Sequence, residues 1–196
     1  MGEMILVLGG ARSGKSSYAQ RLAYELGGEQ VVFLATAEAG DEEMRARIAG
    51  HRRSRPAGWR TVEAPRGVAA ALAPTIGDAK VVLVDCLTLL VSNLIVAYGD
   101  SPDPELAERS VMAEIEALCA LRQGQDATFI LVSNEVGLGL VPVYELGRVY
   151  RDVLGRANQV LASQADQVVL LIAGLPIELK ALQAAIGRAR ADSSTP

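Results

Sequence analysis

The chain has 196 residues, half of them hydrophobic, and a net charge of −4 at neutral pH. That is apolar material for one domain whose sheet is covered on both faces, and it excludes the general affinity for nucleic acid that a basic surface gives. No apolar run is long enough to span a bilayer as a helix, and two cysteines without metal-ligand spacing exclude a disulfide framework and fit a reducing cytoplasm.

Met4 to Leu8 predicts a buried parallel strand, with no signal peptide expected before it. Met1-Gly2 opens like a myristoylation site, but position 6 is Leu6 rather than Ser or Thr. Gly9-Gly10-Ala11-Arg12-Ser13-Gly14-Lys15-Ser16 follows at once and matches the phosphate-binding pattern G-x-x-x-x-G-K-[ST] without gap or substitution. Its glycines bring backbone N–H groups close to phosphate oxygens. Lys15 has the reach for the β- and γ-phosphates, and the Ser16 hydroxyl suits Mg²⁺. Ser17 to Leu26 predicts the helix whose N-terminus favours the anion. The chain is therefore expected to bind a nucleoside triphosphate.

Val31 to Thr36 reads as a second strand, completing a β-α-β unit of a parallel sheet. Ala35, Thr36 and Ala37 then lie at its carboxyl end, the edge where open α/β sheets bind ligands. Asp41 to Arg53 predicts a polar helix that ends in a basic cluster and stops at Pro56. Within that cluster, His51 is the only histidine of the chain. Its arginine neighbours disfavour the imidazolium and keep the ring neutral and nucleophilic. A neutral imidazole attacking an α-phosphate would give a phosphoramidate, a form of covalent catalysis; the alternative is a solvated basic face. Trp59 and Val62 fall in a short strand ending at Glu63, and Arg66 to Leu72 in a short helix.

Val81-Val82-Leu83-Val84-Asp85 predicts a strand of apolar residues closed by an acid, the pattern that places a carboxylate on Mg²⁺ beside a phosphate loop. A helix over Leu87 to Ala97 follows. Asp103-Pro104-Glu105 starts the next helix, with apolar positions Val111, Ile115, Leu118 and Cys119 as core and Gly124 as its stop. Thr128 to Ser133 is a further strand, running into the polar, glycine-rich loop that begins Asn134-Glu135, a candidate substrate loop. In the helix predicted over Tyr144 to Ala165, Leu146, Val149, Val153, Val160 and Leu161 face the core. Arg148, Arg151, Asp152 and Asn158 are expected away from it, with Arg148–Asp152 as an i,i+4 pair. Val168 to Ile172 is a strand, Gly174-Leu175-Pro176 a turn, and Ile177 to Leu179 a returning antiparallel strand. One domain is expected over residues 1–180, and over 181–196 a tail with a short helix and then disorder.

Several strings occur in an order that resembles one family. They are Gly9 to Ser16, Ala35-Thr36, Arg47-Ile48-Ala49-Gly50-His51-Arg52-x-x-Arg55-Pro56-x-x-Trp59, Asp85-Cys86-Leu87-Thr88-x-x-Val91-x-Asn93-Leu94, Ser133-Asn134-Glu135-Val136-Gly137 and Arg151-Asp152-x-x-Gly155-x-x-Asn158. Together they are similar to the bifunctional adenosylcobinamide kinase/adenosylcobinamide-phosphate guanylyltransferases of cobalamin biosynthesis, over about positions 4 to 180. The resemblance implies an α/β three-layer P-loop NTPase fold, RecA-like, its sheet mostly parallel with one antiparallel edge strand near the C-terminus, and a homotrimer. It implies two activities at one site: phosphorylation of adenosylcobinamide by ATP or GTP, then transfer of GMP from GTP to adenosylcobinamide-phosphate with release of pyrophosphate. It implies that Gly9 to Ser16 hold the triphosphate and that Ala35, Thr36 and Ala37 line the nucleotide site. It further implies that His51 is the guanylylated nucleophile and that Arg52, Arg53, Ser54, Arg55, Glu63 and Asp85 help bind GTP. Some relatives carry glutamate where this chain has Asp85; either acid serves Mg²⁺, with a different reach. The residues themselves leave open a monofunctional small-molecule kinase and a nucleotide-gated assembly protein without transfer chemistry.

Overall fold

Five runs of β-branched and leucine residues, apolar on both sides of the chain, form the centre of one sheet because only a sheet sandwiched between helices buries both faces. The computed structural model describes residues 2–38, 42 and 55–193. Its strands are β1 (Met4–Gly9), β2 (Val31–Ala35), β3 (Arg60–Glu63), β4 (Val81–Asp85), β5 (Thr128–Val132), β6 (Gln167–Ile172) and β7 (Leu175–Glu178). They lie in the order β3-β2-β4-β5-β1-β6-β7. Every neighbouring pair is parallel except β6 with β7. The helices are α1 (Lys15–Gly27), α2 (Val68–Leu72), α3 (Leu87–Val96), α4 (Pro104–Gln123), α5 (Glu145–Gln164) and α6 (Leu179–Ser193).

Alternation along β1 divides the core. Met4, Leu6 and Leu8 join one buried cluster with side chains of α2, α3, α4 and α5. Ile5 and Val7 join the other with Ala19 and Ala23 of α1 and with Trp59. This is the expected three-layer, mostly parallel arrangement with one antiparallel edge strand. The start of α4 is built as its sequence predicts: the Asp103 carboxylate accepts from the N–H groups of Glu105 (2.9 Å) and Leu106 (3.3 Å), with Pro104 in the first turn.

Five local expectations need correction or fall outside the description. Apart from Glu42, the helix predicted over 41–53 lies outside the described residues. The turn before β7 is Ala173-Gly174, both at positive φ (53° and 82°), and Leu175 and Pro176 already belong to the strand. A two-residue hairpin loop needs both central residues left-handed, and that geometry decides the register over the turn-like composition of the residues that follow. The closing helix starts at Leu179 and reaches Ser193, longer than a short tail helix and running across position 180. In α5, Arg148 donates to the carbonyls of Pro142 (3.3 Å) and Val143 (2.7 Å), while Asp152 pairs with Arg151 (3.2 Å). These contacts replace the expected i,i+4 pair. Asn158, expected outside, is buried.

Candidate active site

The parallel register brings the carboxyl ends of β1, β2, β3, β4 and β5 to one edge. Ala35 stands opposite both Glu63 and Asp85, and Asp85 opposite Val132. The phosphate loop leaves β1 at the same edge. Gly9 has φ 151°, and a Cβ there would lie 2.5 Å from the Leu171 carbonyl oxygen and 2.6 Å from Ser13 Oγ, so only glycine fits. Gly14, at φ 95°, opens α1, and Arg12 holds φ 58°, a left-handed backbone that a non-glycine residue adopts at a cost. Neighbours buttress the loop: the N–H of Gly174, at the hairpin tip, donates to the Ser13 carbonyl (3.0 Å), and that of Glu135 donates to the Gly9 carbonyl (3.0 Å).

Among the described residues Lys15 is the one buried charged residue, at 7% exposure. Its Nζ donates to the Gly10 carbonyl at 2.6 Å, with Ser13 Oγ at 3.5 Å. Burial pulls its pKa below the ordinary 10.5, while Cys86 and Asp85 nearby pull the other way. A desolvated ammonium inside a ring of backbone donors is a strong phosphate ligand. Asp85 closes β4 and stays partly accessible, and Ser16 is half-buried in the first turn of α1. A hydroxyl and a carboxylate are hard oxygen donors that suit Mg²⁺. Among the described residues no three His, Cys, Asp or Glu side chains group as a metal cage.

Buried polar side chains hold the rest of the edge in place. Thr36, with no exposure, donates through Oγ1 to the Cys86 carbonyl (2.6 Å) and accepts from the Cys86 N–H (3.0 Å). Asn93 Nδ2 donates to the carbonyls of Thr36 (2.8 Å) and Pro65 (3.1 Å), tying the exits of β2 and β3 to α3. Asn134 donates its N–H to Thr88 Oγ1 (2.8 Å), and its carbonyl accepts from Asn158 Nδ2 (3.0 Å). The Cys86 thiol is pushed up to about 11 by burial, with Asp85 adding to the shift.

Of the residues expected at the site, Gly9 to Ser16, Ala35, Thr36, Ala37, Glu63, Asp85, Asn134 and Glu135 come from segments that meet at this edge. Arg55 sits differently: its guanidinium lies 3.7 Å over the Phe33 ring, and Phe33 stacks with Trp59 at 6.4 Å. That stack is on the α1 face of the sheet. His51, Arg52, Arg53 and Ser54 lie outside the described residues. Sequence reasoning assigned no part to Thr88, Asn93 or Asn158. For Asn158 a signal was available: Leu154, Ala157, Asn158 and Leu161 follow core-facing helical spacing, so a polar residue stands where an apolar one is expected.

A glycine loop between the first strand and its helix, a buried lysine within it and an acid closing a nearby strand define a phosphate-loop nucleotide-binding protein. The family model described as cobinamide kinase / cobinamide phosphate guanyltransferase matches residues 5–179. The chain belongs to that family and is a bifunctional enzyme, a kinase and a guanylyltransferase. It is 43% identical to the bifunctional adenosylcobalamin biosynthesis protein CobU of Escherichia coli over 182 residues, 90% of this chain and 99% of the relative. It is 47% identical to the bifunctional adenosylcobalamin biosynthesis protein CobP of Pseudomonas aeruginosa over 175 residues, 89% of this chain and 96% of the relative. Among solved structures, the flagellar accessory protein FlaH of Methanocaldococcus jannaschii aligns at TM-score 0.43 and 15% identity, over 86% of this chain and 70% of that one.

Proposed function

We propose that this chain phosphorylates adenosylcobinamide with ATP or GTP and then transfers GMP from GTP to the product through a guanylyl-His51 intermediate. The observation that carries this reading is a single phosphate loop with a buried lysine, beside an acid-ended strand, in a chain of the cobinamide kinase/guanyltransferase family. One triphosphate cradle then serves both reactions, and the acceptor decides which phosphorus reacts. Residues Gly9 to Ser16 grip the phosphates. Ala35, Thr36, Ala37, Glu63 and the segment Arg52-Arg53-Ser54 border the nucleotide, with Arg55 anchoring that segment on Phe33. Asn134 and Glu135 border the acceptor. Ser16 and Asp85 would hold Mg²⁺, which neutralises charge on the phosphate oxygens when bound.

In the second reaction the neutral His51 imidazole attacks the α-phosphorus of GTP. A P–N bond forms, the P–O bond to pyrophosphate breaks, and pyrophosphate leaves with the electron pair. A phosphate oxygen of adenosylcobinamide-phosphate then attacks the same phosphorus and the P–N bond breaks, giving adenosylcobinamide-GDP. The family resemblance also supports a homotrimer and a cytoplasmic enzyme. Among the described residues no helix is long and apolar enough to cross a membrane.

The test is covalent labelling with α-labelled GTP. Label is expected on the wild-type chain, stable in alkali and lost in acid as a phosphoramidate requires, and absent from His51→Ala, which keeps substantial kinase activity. Because a histidine of ordinary pKa is about nine-tenths neutral at pH 7.5, labelling should fall only at mildly acidic pH. An acid-stable adduct, or label on His51→Ala, moves the nucleophile elsewhere.

A further inference from the structure

Asn134 is the most firmly fixed backbone at the ligand edge. Its N–H and its carbonyl are each held by a buried side chain, Thr88 of α3 and Asn158 of α5. On either side of it, the Ser133 N–H donates to the Val7 carbonyl (2.9 Å) and the Glu135 N–H to the Gly9 carbonyl (3.0 Å). Three consecutive residues are thus held, Ser133 and Glu135 against β1 and Asn134 between α3 and α5. The lock costs stability. Asn158 Oδ1 and Ser133 Oγ are buried without a hydrogen-bond partner among the described residues. An apolar side chain at 158 would avoid that penalty. A connection that merely turned the chain has no need of it.

β5 lies between β4, which ends in Asp85, and β1, which ends in Gly9. An amide leaving its tip therefore emerges between the strand that feeds the phosphate loop and the strand that ends in Asp85. The chain beyond Asn134 then exposes Leu138, Leu140 and Val143 almost completely, a surface suited to a large, partly apolar acceptor rather than to a triphosphate. We propose that Asn134 positions the acceptor hydroxyl for phosphoryl transfer, with Thr88 and Asn158 as positioning residues that hold it; this rests on the kinase reading above. A carboxamide carries both an acceptor and a donor. Its Oδ1 takes the hydrogen bond of the acceptor hydroxyl and its Nδ2 donates to a phosphoryl oxygen. The hydroxyl oxygen forms the new bond to the γ-phosphorus, the bond to the nucleoside diphosphate breaks with its electron pair, and the hydroxyl proton passes to solvent. Asn134 aligns the hydroxyl and takes no proton.

The guanylylation half-reaction needs no acceptor, and that separates the roles. For Asn134→Ala, kinase kcat with adenosylcobinamide is expected to fall about 100-fold, the scale of a misaligned reactant, while nucleotide Kd and the rate of labelling by α-labelled GTP stay within about three-fold. Asn158→Leu and Thr88→Val should lower the same kcat about tenfold with the same two readouts held. A kinase rate near wild type overturns the proposal. So does a matching loss of labelling or of nucleotide affinity, which would make Asn134 a nucleotide contact or a structural residue. If circular dichroism shows Asn134→Ala unfolded, Asn134→Leu, which keeps much of the volume and both backbone bonds without the carboxamide, decides by the same criteria. If the wild-type chain takes no label, the guanylyl-histidine reading fails by itself, and Asn134 is judged on kinase kcat against nucleotide Kd.

Discussion

Lys15 shows how a functional residue works against the fold that carries it. The residue is 7% exposed, and burial disfavours its charge. The unfolded chain therefore holds that proton more tightly. Stability from this group rises as pH climbs through the lowered folded value towards 10.5, and below that lowered value the cost is present in full. Lys15→Met removes the buried charge and keeps the volume. It is expected to hold or raise the urea midpoint while both activities fall at least about 100-fold, the loss typical of removing one transition-state donor. Survival of either activity near the wild-type rate would mean a second triphosphate site. The two thiols behave in the opposite sense. Burial raises both, Cys86 to about 11, so little thiolate exists at pH 8. Alkylation of the folded protein by iodoacetamide should be at least about 100-fold slower than that of the unfolded chain. Cys86→Ala and Cys119→Ala should leave turnover within a few-fold, and a folded but inactive variant would give a cysteine a part in the chemistry.

At the scale of elements, local chemistry sets the boundaries, and two substitutions read it in opposite directions. Asp103 caps α4 through two N–H groups, so Asp103→Ala is expected to lose about 1 kcal/mol. Ala173 pays for a left-handed backbone at φ 53°, so Ala173→Gly is expected to gain about 0.5–1 kcal/mol. Denaturant midpoints at unchanged slope would measure both, and a loss at Ala173→Gly would contradict the strain argument. These two positions also show what was legible. The α4 start was written in Asp103-Pro104-Glu105, three residues that each favour a helix N-terminus. The hairpin was legible as a hairpin, but Gly174-Leu175-Pro176 drew the turn too late, because Ala173 carries no compositional sign of the φ it adopts. In α5 the apolar spacing was clear, and Asn158 broke it. Polarity suggested the outer face, whereas helical position put it inside.

For the whole molecule, the parallel sheet and the phosphate loop were legible because they rest on local pattern: apolar strand-length runs, and a motif with one geometric meaning. The convergence on Asn134 was not. Thr88, Asn134 and Asn158 are separated by 46 and 24 positions, and they meet only because the strand order sets β5 between β4 and β1. No periodicity in the sequence encodes that order. The same holds for Arg55, whose stacking on Phe33 joins two residues that no local pattern pairs. Charge and family pattern pointed to it as a nucleotide ligand, but its aromatic neighbour was invisible in the chain.

The strand that ends the sheet bears on how molecules of this protein avoid one another. β7 is the last strand, paired only with β6, and Pro176 stands in it opposite Leu171. A proline has no N–H to give, so it is tolerated in a strand where its missing donor points away from the ladder. The free edge of β7 therefore lacks a donor at its centre, although it is flanked by Leu175, an exposed apolar residue. An added strand from another chain would lose a hydrogen bond at that step and gain little register. Pro176 thus works as a gatekeeper against sheet-to-sheet aggregation. Pro176→Val restores a β-forming residue with its N–H, and light scattering on heating concentrated protein should show earlier onset than for the wild type. An unchanged onset would place the protection elsewhere on the edge.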